Sequence, residues 1–107
     1  MRQHVVQFLI KQKNYSRSAI NTEIVVSVNG MKKRADVVVF KKEKPFIIVE
    51  CKAPTVSISQ QTFDQIARYN LQLNADYLMV TNGLNHYYCQ MDFLNQRYQF
   101  LRELPEK

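Results

Sequence analysis

Apolar residues along this chain fall into short blocks with two different periods. Between Arg2 and Gln12, Val5, Phe8 and Leu9 stand in i, i+3, i+4 relation, with Val6 and Ile10 beside them, which predicts an amphipathic helix laid on a sheet. The pattern fails between Asn14 and Ser18. Ile24, Val25, Val26 and Val28 then form a β-branched run that stops at Asn29-Gly30. An Asn-Gly pair between two such runs is a strong hairpin signal, because a type I′ turn needs positive φ at both central residues. The return strand runs from about Lys33 to Phe40, and the lysine-rich stretch to Pro45 makes a second turn.

A third strand follows from Phe46 to Lys52 and is broken by Ala53-Pro54. Ser59 or Thr62 is placed to cap a helix running to about Leu73, with Phe63, Ile66, Ala67, Tyr69 and Leu71 as its apolar or aromatic positions. Tyr77 to Val80 reads as a fourth strand ending at Asn82-Gly83, and Tyr87 to Met91 as its hairpin partner. Beyond Asp92 the signal weakens to one short strand near Tyr98 to Leu101. A strand, helix, strand succession makes the third and fourth strands parallel neighbours. The fold class predicted is therefore α/β: an antiparallel meander of three strands, a crossover helix, a parallel fourth strand and a fifth by hairpin, flanked by helices. The 107 residues correspond to a single domain, residues 1–107, with no internal repeat or linker.

The register of the two hairpins brings chemistry into the pattern. If Asn29-Gly30 is a two-residue loop, Val28 faces Met31 and Glu23 falls opposite Asp36. A five-residue loop from Lys41 to Pro45, with Phe40 opposite Phe46, would put Asp36 opposite Glu50. Glu50 and Lys52 are two apart on one strand and share a face. Like charges set directly opposite each other in a largely apolar sheet are destabilising, so a bound divalent cation is the simplest compensation. Hard Mg²⁺ (or Mn²⁺) takes one or two protein carboxylates and completes its shell with other oxygens. With a lysine alongside, such a centre suits phosphodiester hydrolysis. The plainer alternative is an exposed Glu50–Lys52 salt pair at a strand end, with Glu23 and Asp36 outside the ladder. For Glu23 in particular, a one-residue bulge would turn it away.

Charge adds a partner. Lys and Arg outnumber Asp and Glu 15 to 9, a formal net charge of +6, which favours a polyanion such as nucleic acid unless the lysines merely solvate two turns. No apolar run approaches the roughly 20 residues that span a bilayer, and the N-terminal segment lacks a signal-peptide core, so a soluble protein without membrane contact is expected. The two cysteines, Cys51 and Cys89, fall inside predicted strands, which fits the reducing cytoplasm better than a disulfide framework. His4 and His86 have no second ligand at metal spacing, which argues against zinc. Tyr87, Tyr88 and Tyr98 are read either as base-stacking groups or as core and interface residues.

The stretch Lys33-Arg34-Ala35-Asp36, the segment Ile48-Val49-Glu50-Cys51-Lys52-Ala53-Pro54, the helix Gln65-Ile66-Ala67-Arg68-Tyr69-Asn70 and the run Val80-Thr81-Asn82-Gly83 together resemble the PD-(D/E)XK nuclease superfamily. More narrowly, they resemble the N-terminal nuclease domain of type I restriction enzyme R subunits. The resemblance implies a restriction-endonuclease-like sheet and endonuclease chemistry on DNA, with Asp36 and Glu50 on the metal, Lys52 activating water, and Gln65 and Tyr69 as the family's Gln-x-x-x-Tyr motif. Ala35 stands where that pattern often has proline. R subunits also carry an ATP-driven motor, whereas this chain has no Gly-x-x-x-x-Gly-Lys phosphate loop. The chain is then read as a fragment, a free-standing relative, or a domain that works with a separate motor or specificity subunit. The competing expectation is a non-catalytic nucleic-acid-binding or assembly module that keeps the nuclease fold.

Overall fold

The computed structural model describes residues 1–28, 30–71 and 73–107. Helix α1 (Arg2–Lys11) buries Val5, Val6 and Leu9, the stripe that its periodicity singles out. After a short 3₁₀ turn, six strands follow: β1 (Ile20–Val28), β2 (Met31–Lys41), β3 (Lys44–Cys51), β4 (Tyr77–Thr81), β5 (His86–Asp92) and β6 (Arg97–Leu101). Helix α2 (Gln60–Leu71) lies between β3 and β4. Its first turn is capped by Ser59, whose Oγ accepts from the Thr62 amide at 3.1 Å.

The strands form one mixed sheet in sequence order, β1-β2-β3-β4-β5-β6. Only β3 and β4 are parallel among these neighbours, as the intervening helix requires. The runs of valine and isoleucine in β2 and β3 are apolar on both faces because both faces are covered. Val37, Val39, Ile47, Val49 and Met79 pack with α1, while Val38, Ile48, Leu78, Val80 and Cys89 pack with Phe63 and Ala67 of α2. Among the described residues no helix is long and apolar enough to cross a membrane.

The first turn keeps its expected register and the second departs from it. In the first hairpin Val28 does pair with Met31, and Gly30 has φ +81°; Asn29 lies outside the described residues. The β2–β3 connection is a two-residue turn on Lys42 and Glu43, both at positive φ (52° and 65°), with Lys41 opposite Lys44, rather than a five-residue loop. Neither residue is the glycine or asparagine that normally marks such a turn, which is why the sequence hides it. A bulge at Phe46 then shifts the register, so Val39 faces Ile47 and Val37 faces Val49. The tight turn and the bulge offset each other, and beyond the bulge the register is the one the longer loop would have given. At the β4–β5 hairpin Thr81 pairs with His86 across four residues that include Asn82-Gly83. Strand β1 also begins earlier than its apolar run, at Ile20. The weak last run is a true edge strand, pairing from Tyr88–Leu101 to Asp92–Arg97.

Candidate active site

The β2–β3 ladder stops at Val37 and Val49, one pair short of Asp36 and Glu50. There the strands part. The Cys51 amide, which alternation aims at β2, finds the Asp36 side chain instead and donates to its Oδ2 at 2.7 Å. The next amide, that of Lys52, donates to the Thr81 carbonyl at 2.7 Å, so β3 leaves β2 while staying with β4. A carboxylate has replaced a backbone acceptor, and a charge-assisted bond of this kind holds it firmly.

The faces change at the same level. Val37 packs on the α1 side, but Ala35 and Val38 both pack on the α2 side, so alternation slips between Ala35 and Val37 and Asp36 stands at the slip. Strand β1 slips with it: Ile20 packs on the α1 side and Ile24 on the α2 side, with Glu23 between them in the left-handed region at φ 52°. Glu50 follows Ile48 onto the α2 side. It is 8% exposed, and its Oε1 is shut off from solvent. Asp36 and Glu50 thus occupy facing register positions where the two strands begin to open. Lys52 follows the last residue of β3 and is half-buried. Alternation places it on the face of Glu50.

Glu23 does not join them. Its left-handed backbone turns the side chain to the surface, where Oε1 is paired with Arg2 and, at 3.5 Å, with Arg34. The expected third acid is therefore neutralised by arginines, and among the described residues no group of three or more His, Cys, Asp or Glu side chains could hold a metal ion. The slip in β1 acts as the local bulge that the sequence left open for Glu23.

The helical pair is also divided. Gln65 is exposed on α2, and Tyr69 is half-buried against the α2-side core. The Tyr69 hydroxyl donates to the Lys32 carbonyl at 3.0 Å. That bond ties the helix to the β1–β2 hairpin, which projects past the end of β3 as an arm bearing exposed Lys32 and Arg34. The hydroxyl therefore braces the arm.

Cys51 borders the same opening. Burial, reinforced by the negative charge of Asp36, pushes its thiol up to about 11, so at neutral pH it is an uncharged thiol and no nucleophile. The residue that sequence reasoning undervalued is Asn82. It is buried, and its Oδ1 accepts from the amides of Leu84 and Asn85 at 2.9 and 2.8 Å while Nδ2 donates to the Val56 carbonyl at 2.8 Å. Val56 lies in the segment that leaves Lys52, so Asn82 clamps the chain just beyond that lysine to the β4–β5 loop. Thr81 helps from the same loop, its Oγ1 accepting from the Gly83 amide at 3.0 Å and sharing a 2.6 Å bond with His86 Nδ1. The ability of asparagine to close its own loop was the available signal.

A family model described as type I restriction enzyme R protein N terminus matches residues 1–105, and the chain belongs to that family. No curated protein and no solved structure matches it.

Proposed function

We propose that this member of the type I restriction enzyme R protein N-terminal family is a divalent-metal-dependent nuclease domain with a restriction-endonuclease-like sheet, hydrolysing DNA phosphodiester bonds. One observation carries the reading: the β2–β3 ladder opens at Asp36 and Glu50, two acids at facing positions that adjoin the apolar runs Val37-Val38-Val39 and Ile47-Ile48-Val49. Their donor set fits the need. Two oxygen ligands suit Mg²⁺ or Mn²⁺, which fill the remaining positions with water and phosphate oxygens.

Asp36 and Glu50 would hold the ion, with the Cys51 amide orienting the Asp36 carboxylate in the manner of an outer-shell partner. When bound, the ion supplies Lewis acidity and lowers the pKa of water. Lys52 holds a positive charge on the same face, where it would orient the attacking water and offset charge developing on the phosphate. The exposed Lys32 and Arg34 of the arm would follow the DNA backbone, and Tyr69 would act as a positioning residue by bracing that arm. Gln65, exposed on the same helix, is left as a contact to nucleic acid.

A second reading has one observation in its favour, the capture of Glu23 by two arginines, which leaves two acids where three were expected. On that reading the chain is a DNA-binding or assembly module that keeps the fold without cleavage. Incubation with supercoiled plasmid, linear duplex and single strands in Mg²⁺, Mn²⁺ or chelator separates the two. Cutting is expected only with metal, and Asp36→Ala, Glu50→Ala and Lys52→Ala should each lower it by about 100-fold or more. Absence of metal-dependent cutting on every substrate would leave the binding module.

A further inference from the structure

On the face of the sheet that carries Glu50, a group of aromatic rings surrounds the start of α2. Phe63 is its floor, 2% exposed, with its ring centroid 6.1 Å from that of Tyr87, 5.5 Å from Tyr98 and 4.8 Å from Phe100. Tyr98 is fixed by its hydroxyl, which donates to Asp64 Oδ1 at 3.1 Å and accepts from Gln60 Nε2 at 3.3 Å. Tyr87 and Phe100 remain 36% and 45% exposed. With Ile58, Ser59 and Gln60 they line an open cleft of about 130 Å³, the scale of one planar ring system.

Register fixes its distance from the acids. Glu50 pairs with Val80 and Val80 with Tyr87, so the three stand in one row across the sheet. Val80 and Cys89 pack on the α2 side, and Tyr87 shares the parity of Cys89. Two strand spacings, about 10 Å, therefore separate Glu50 from Tyr87. The segment from Lys52 to Ser59 leads from one to the other. Arg102, exposed, directly follows Leu101, the last residue of β6, which pairs with Tyr88 beside Tyr87, and the first turn of α2 has no acidic residue.

We propose that this cleft seats an unpaired nucleobase of the substrate strand, a nucleotide or two from the acid pair, with Arg102 on the adjoining phosphate; this rests on the nuclease reading above. Every base presents a π face, so exposed rings over an aromatic floor accept one without sequence preference. The cation beside the rings and the chain's net charge of +6 suit the polyanionic backbone.

The test is fluorescence anisotropy of a labelled oligothymidylate with the full chain in chelator, so that binding is read without cleavage. Replacing the bases by abasic residues at equal length and charge should weaken binding about tenfold, and Tyr87→Ala or Phe100→Ala should cost about the same on the intact strand and little on the abasic one. The abasic comparison uses the unaltered protein and so does not depend on the variants folding. Equal affinity for intact and abasic strands overturns the proposal. So does self-association that is lost in the variants while oligonucleotide binding is unchanged, since a second copy would then cover the rings. Either failure leaves metal-dependent plasmid cutting untouched, and loss of that cutting leaves chelator-phase binding to be read by itself.

Discussion

Between the Lys42-Glu43 turn and Val37, strands β2 and β3 are closed by a backbone ladder, and Val37, Val38, Val39, Ile47, Ile48 and Val49 are wholly buried. From Asp36 to Lys52 the same two strands separate, and a carboxylate takes the place of a carbonyl. One end is held by apolar packing on both faces and the other by polar bonds that a side chain supplies. The difference shows how a stable sheet accommodates an acid pair. The strands are anchored where nothing reactive is present, and the ladder is given up where like charges would have been forced into register. The distortion at that level extends into β1, with Glu23 left-handed opposite the slip at Asp36.

The contrast predicts effects of different size. Ile48→Ala, in the closed portion, should cost about 2–5 kcal/mol in urea denaturation, because a fully buried side chain leaves a cavity between β3 and α2. A loss below about 1 kcal/mol would mean that the closed end is not the anchor. At the open end, Asp36→Leu removes the acceptor of the Cys51 amide but also one of two neighbouring negative charges, so global stability should change less than in Ile48→Ala. The sharper readout is hydrogen exchange at the Cys51 amide, which should quicken about tenfold in Asp36→Leu and stay near the parent rate in Asp36→Asn, whose side-chain oxygen still accepts. Equal rates in both variants would show that the carboxylate is not what caps that amide. Smallest of the three, Tyr69→Phe should cost about 0.5–1.5 kcal/mol and loosen the β1–β2 arm while leaving Asp36 and Glu50 in place. In the cleavage assay it should weaken DNA binding more than turnover at saturating DNA, and the reverse split would move Tyr69 from the arm to the chemistry.

Much of this was legible in the chain. The helix at Val5, Phe8 and Leu9, the β-branched runs and the crossover helix after Pro54 each follow from local periodicity and turn chemistry, and they fix the order and direction of the first five strands. The Asp36–Glu50 register was reached from a loop the molecule does not have. It survives because the bulge at Phe46 restores what the tighter turn removes. For Glu23 the sequence left alignment and a bulge both open, because nothing in Thr22-Glu23-Ile24 announces a left-handed residue. The role of Asn82 was underread because Asn-Gly signals a tight turn more often than a clamp between two loops.

By itself, the sequence determined which segments become helix or strand and which side chains could carry metal chemistry, since those depend on side-chain shape, charge and spacing along a few neighbouring residues. The separation of β2 from β3 at Asp36, the loss of Glu23 to Arg2 and Arg34, the bracing of the arm by Tyr69, and the aromatic cleft beside α2 were decided only in three dimensions. Each depends on partners 11 or more residues away in the chain. Which of several locally acceptable conformations prevails at such places is set by the packing of whole elements against one another.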